Sequence, residues 1–255
     1  MSSSENVMKT KCRRSTSRGG DRRWCVPAAV TRDPGERLEG DRILSEFPGE
    51  LGVLLWRTAR DVVLWAGTPT EARAGLFSPE ASGRRMARLL DTDLPEGLPA
   101  FLDTLASQLS TPEKGDAEIL AWCCRRVARW AAGRDCLGTA TFYAQAAALC
   151  SPGDAASALE TGRLALADGQ RPRGESWLRR AIALARRARQ WDAYAAAFAD
   201  LGKLYERAGD GDRARRYYRR AWATGRRYGM RDCRALAGDG LRRIAMAEGD
   251  VGSGN

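Results

Sequence analysis

From about residue 155 the chain repeats itself every 40 positions, and no other feature of the sequence limits its fold as strongly. Ala155, Ala195 and Ala235 fall in register, as do Leu164, Leu204 and Ile244, and Gly169, Gly209 and Gly249. Gly162 matches Gly202, whereas the third copy has Arg242. Further along, Trp177 matches Tyr217, Leu178 matches Tyr218 and Ala181 matches Ala221. The apolar spacing within a copy predicts a helix A over residues 195–208 and a helix B over 212–228. Glycine inside a helix costs about 1 kcal/mol relative to alanine, so Gly202 needs a structural reason. Close crossing of helices A and B supplies one, because a large side chain there would overpack the contact by about 1–3 kcal/mol. Gly209 is expected to end helix A in the left-handed region, where a Cβ costs about 1–2 kcal/mol. Ala214 and Ala221 keep the crossing narrow, and Phe198, Leu201, Tyr205 and Tyr218 fill it. Such alternation of small and large residues specifies a helical hairpin.

The rest of the chain after about residue 38 also reads as helix, turn, helix, and no alternating strand pattern stands out. Leu51, Leu54, Leu55, Ala59, Val62 and Val63 share one helical face between Pro48 and Gly67. Ser78, Pro79 and Glu80 open a second helix, and a new start is expected at Ser110, Thr111 and Pro112. Residues 116–150 look like a degenerate further copy, with Gly133 at its turn and Tyr143 and Ala146 on its second helix. The expected organisation is a disordered basic tail over 1–37, a helical module over 38–112, repeats over 113–250 and a short tail over 251–255. The fold class is all-α.

The residues Phe198, Leu201-Gly202, Tyr205, Gly209, Ala214, Tyr218 and Ala221 resemble the tetratricopeptide repeat family. The period of 40 is similar to its long-repeat subclass, found in sensor domains of bacterial regulators and signalling ATPases. The likeness spans roughly residues 116–250. It is closest over 195–228; Gly174 departs from the expected alanine, and the last copy has a helix A without a helix B. The resemblance implies an α-solenoid with a concave face lined by the A helices. It also implies that the residue after the small position of helix A faces this groove. Those residues are Arg163, Lys203 and Arg243, a cation in every copy, with Leu159, Ala199, Leu166 and Met246 as apolar neighbours. The expectation is a groove that binds an acidic protein segment or a carboxylate. The blander alternative is that the cations pair with Glu160, Asp200 and Asp239.

Composition narrows the choice. The chain has no histidine, which removes histidine-based general-base, nucleophile and metal chemistry. Its seven cysteines are odd in number and form no Cys-x-x-Cys pair, which fits free thiols in a reducing cytoplasm. Cys123 and Cys124 read as small core residues of an apolar helix. No metal, cofactor or catalytic residue is expected. The net charge of +10 is uneven: residues 24–115 hold 10 basic and 14 acidic groups, while residues 116–255 hold 25 and 16. On helix B, Arg179, Arg180, Arg186 and Arg187 recur as Arg219, Arg220, Arg226 and Arg227. With no aromatic visibly interleaved, that face reads first as solvated and only second as a phosphate contact. The leading expectation is a non-enzymatic adaptor or a regulatory or sensor subunit; the alternative is a nucleic-acid-binding transcriptional regulator. A monomer is expected, with a homodimer through Leu241 and Ile244 if the last helix fails to cap the array.

Overall fold

The structure, a computed structural model, describes residues 34–252, with side chains over 40–247. Most of the expected basic tail and the last residues of the C-terminal tail lie outside the described residues. Eleven α-helices follow one another: α1 (Pro34–Glu46), α2 (Glu50–Gly67), α3 (Pro79–Asp91), α4 (Pro99–Ser110), α5 (Ala117–Ala132), α6 (Leu137–Cys150), α7 (Ala155–Ala167), α8 (Arg171–Ala188), α9 (Trp191–Arg207), α10 (Gly211–Arg227) and α11 (Arg231–Gly252). No strand occurs among the described residues. Helices α5/α6, α7/α8 and α9/α10 are three antiparallel hairpins, and α11 closes the stack as an unpaired A helix. The protein is thus an all-α stack of helical hairpins, a solenoid preceded by the helices α1–α4.

The expected glycine roles are realised in contacts. A Cβ on Gly202 would stand 2.6 Å from the Tyr218 ring, and one on Gly162 would stand 2.9 Å from Leu178. Tyr218 is gripped from its other edge by Gly240 of α11, at 2.5 Å from where a Cβ would lie. Phe198, Leu201, Tyr205, Tyr218, Ala214 and Ala221 are all buried. Gly209 adopts φ +75° and its neighbour Asp210 donates its backbone N–H to Tyr205 O at 3.0 Å. The same closure recurs at Gly169 and Gly229 and, without glycine, at Arg189 (φ 55°) and Asp135 (φ 60°).

Several expected boundaries move. The left-handed turn residue of the first hairpin is Asp135 and not Gly133, which stays right-handed at φ −66°. Helix α5 does not start at Ser110–Pro112. Ser110 ends α4, and Asp116 caps α5 by accepting from the N–H groups of Glu118 and Ile119 at 2.7 and 3.2 Å. Helix α9 begins at Trp191, four residues before the expected start, and Gly249 lies inside α11 instead of ending it. Helix α1 begins at Pro34, within the segment expected to be a tail. Ser78 does cap α3, accepting from Ala81 N–H at 3.2 Å.

The expected division near residue 112 does not interrupt the packing. The described residues, 34–252, fall in one compact unit. A single core runs from Ile43, Leu54 and Trp65 through Leu102 and Leu109 to Cys124, Val127 and Tyr143. Tyr143 of α6 donates to Leu55 O of α2 at 2.9 Å, and Trp65 donates to Pro112 O at 2.7 Å. Glu46 at the end of α1 receives the N–H groups of Gly138 and Thr139 at 2.7 and 2.8 Å, which caps α6 from a distant element.

Candidate functional site

The A helices α7, α9 and α11 bring the three repeated cations onto one flank. Arg163 of α7 donates through Nε to Asp200 of α9 at 2.6 Å. Lys203, one turn along α9, lies 3.5 Å from the same carboxylate. Arg243 of α11 reaches back and holds both oxygens of Glu206, at 2.6 and 2.9 Å. The result is a line of alternating charge, Arg163, Asp200, Lys203, Glu206 and Arg243, stitched across three helices. Asp200 is thus a pairing partner, as the blander reading expected. Glu160 and Asp239 are not partners of the repeated cations: Glu160 pairs with Arg129 of α5 at 3.7 Å, and Asp239 with Arg242. Glu206 was not expected as a partner because the pairs considered in the sequence join residues three or four positions apart on one helix, and this one bridges α9 and α11.

Glu206 also accepts from the Tyr218 hydroxyl at 2.5 Å. The bond from Arg243 and that from Tyr218 hold its carboxyl below the usual glutamate range despite partial burial. Burial and the neighbouring Glu206 push the Tyr218 phenol up. The apolar neighbours divide. Leu159 and Ala199 are 7% and 3% exposed and belong to the core, so they do not line an open groove. Leu166 is half-buried, and Met246 is 67% exposed beside the line.

Most arginines of the B helices are exposed, as expected, and the aromatics beside them are buried or half-buried. Arg179 of α8, Phe198 of α9, and Arg213, Arg216, Tyr217 and Arg220 of α10 line one open pocket of about 330 Å³. Tyr217 stacks on Tyr205 with centroids 5.4 Å apart and planes 9° apart. The Arg220 guanidinium lies 6.0 Å from the Phe198 ring centre, and Arg213 lies 5.3 Å from that of Tyr205. Phe198 and Tyr205 come from helix A, so the sequence of helix B alone could not reveal them. Part of the charge is already satisfied: Arg179 pairs with Glu175 at 2.6 Å and Arg213 with Asp210 at 3.1 Å.

The thiols follow the core reading. Cys123, Cys124 and Cys150 are buried, and Cys136 and Cys233 are partly exposed; all five are free. Burial pushes the Cys124 thiol well up and that of Cys150 to about 12, which keeps both protonated near neutral pH. Trp122 next to them is 51% exposed. Among the described residues no cluster of three or more potential metal ligands occurs. No described helix is long and apolar enough to cross a membrane. Compared with protein-family models, curated proteins and solved structures, the chain matches none.

Proposed function

We propose that this chain is a non-enzymatic protein-interaction module of the tetratricopeptide type, a cytoplasmic bacterial adaptor or regulatory or sensor subunit. Its A-helix flank over α7, α9 and α11 receives the partner polypeptide. The observation that supports this reading is the pre-ordered charge line. The side chains of Arg163, Lys203 and Arg243 stay 53%, 40% and 55% exposed while each already touches a carboxylate. Arg163 spends only Nε on Asp200, and a guanidinium has five N–H donors, so its outer edge is open to a partner carboxylate. Cations held in place by their own chain lose less side-chain entropy when a partner arrives. The alternation of sign selects a segment that offers acidic groups opposite the cations and avoids them opposite Asp200 and Glu206. Met246 and the accessible part of Leu166 add apolar contact.

A partner recovered by affinity capture is to be titrated against the wild type and against Arg163→Gln/Lys203→Gln. The variant is expected to lose at least about tenfold in affinity, or 1.4 kcal/mol, with an unchanged circular dichroism spectrum. Equal affinities would overturn the reading.

A second reading has its own observation, the arginine and aromatic pocket between α8 and α10. The guanidiniums suit a single-stranded nucleic acid, whose phosphates take the charge, and Tyr217, the pocket's half-buried ring, takes a base. Arg216→Ala/Arg220→Ala should then abolish a low-salt shift of a labelled oligothymidylate. No shift with the wild-type chain ends this reading.

A further inference from the structure

The groove between α2 and α3 gathers arginines within a segment that is acidic as a whole. Arg57, Arg60, Arg84, Arg85 and Arg88 line one cavity of about 380 Å³ together with Asp61. Arg85 is only 7% exposed, and its guanidinium lies 5.0 Å from the Phe77 ring centre. One terminal nitrogen donates to Asp61 Oδ2 at 2.6 Å. The other, Nη1, is buried and has no acceptor among the described residues. Asp61 does not serve it: its Oδ2 takes the other terminal nitrogen, and its Oδ1 takes Arg60 at 2.9 Å. A guanidinium withdrawn from water is stable only when its donors meet acceptors, and here the donors of Nη1 are unmet. The cavity rim does not supply the missing acceptor. Arg88 is drawn to Glu50 at 2.9 Å, and Arg84 lies in electrostatic range of Glu80. Arg57 has no carboxylate partner among the described residues.

We infer that this cavity binds the phosphate group of a small molecule, either free phosphate or a phosphate ester. Arg57 and Arg84 close on its oxygens from the rim, and Arg85, with its unpaired Nη1, adds charge to the wall. A phosphate group fits better than a carboxylate. It carries close to two charges near neutral pH and offers three or more oxygens, so several guanidinium forks bind it at once. Trp56, half-buried at the wall with Arg60 5.3 Å from its ring, supplies an apolar side for the remainder of an ester. None of these residues belongs to the A-helix line, so the inference stands apart from the partner-binding proposal.

The test is calorimetric titration of the full chain with inorganic phosphate, glycerol 3-phosphate and succinate. The expected result is saturable one-site binding of phosphate or its ester, with the tighter of the two naming the source, and at least tenfold weaker binding of succinate. Arg57→Ala/Arg84→Ala removes two exposed side chains, so its fold should be kept, as an unchanged circular dichroism spectrum will verify. It should lose at least tenfold in phosphate affinity. Absence of saturable binding up to about 20 mM, equal binding of succinate, or unchanged affinity in the variant would overturn the inference.

Discussion

At the helix crossings of the repeats, Gly162, Gly174 and Gly202 each face one large neighbour, and a departure from the repeat pattern shows this best. Position 174 holds glycine where the next copy has Ala214. A Cβ at 174 would stand 2.5 Å from the Leu166 side chain, and the residue equivalent to Leu166 in the next copy is Glu206, which turns outward to Arg243. The two positions therefore differ together between the two copies. Gly174→Ala should destabilise by about 1–3 kcal/mol, and most of that cost should vanish in the Leu166→Ala background. A thermal double-mutant cycle that finds the two changes additive would contradict the pairing. Gly202→Leu meets the Tyr218 ring and should cost a similar amount, a fall in Tm of several degrees. Gly209 is a different case, since no atom lies within 4 Å of its added Cβ and only its φ of +75° opposes substitution. The spacing exposed these glycines in the sequence, but the reason for Gly174 needed the contact with Leu166.

Among the elements, the hairpins are held by apolar packing, while polar ties set how neighbouring hairpins meet. Glu46 on α1 satisfies two backbone donors at the start of α6, ninety-odd positions away in the chain. Glu46→Ala should cost about 1–2 kcal/mol, since it leaves those donors without their cap; a melting curve unchanged from the wild type would refute the role. Two tyrosine–glutamate–arginine groups tie helices together, Tyr205 with Glu175 and Arg179, and Tyr218 with Glu206 and Arg243. Burial raises the Glu175 carboxyl, but bonds from Tyr205 and Arg179 outweigh this and hold it below its ordinary value. Glu206 is lowered chiefly by Arg243. A carboxyl depressed in the folded state lends stability above the unfolded pKa of about 4.3 and loses it as pH falls through the folded value. The Tm should therefore drop below about pH 4.5 in the wild type and drop less steeply in Glu175→Gln/Glu206→Gln. Identical acid limbs in both proteins would rule this out. Helix identities were legible from periodicity and caps, whereas these pairings join residues with no shared local pattern.

At the scale of the molecule, one core joins α1–α4 to the first hairpin, and the array is closed at its far end by α11. Ile244 is buried and Leu241 packs beside it against the last hairpin, so the apolar side considered for a homodimer faces inward. A shared core implies shared unfolding. Calorimetry of the full chain should show a single transition, and two resolved transitions, one for residues 38–112 and one for 113–250, would contradict it.

The sequence alone determined the all-α class, the 40-residue hairpin and the crossing at Gly202, because helical period, caps and steric register act over a few turns of chain. Tertiary structure alone decided that Glu206 takes Arg243, that Phe198 and Tyr205 enter the arginine face of α10, and that five arginines converge around Asp61 in an acidic stretch. Those arrangements depend on which helix faces which. That choice is made by the packing of whole faces, and charge counts along the chain average it away.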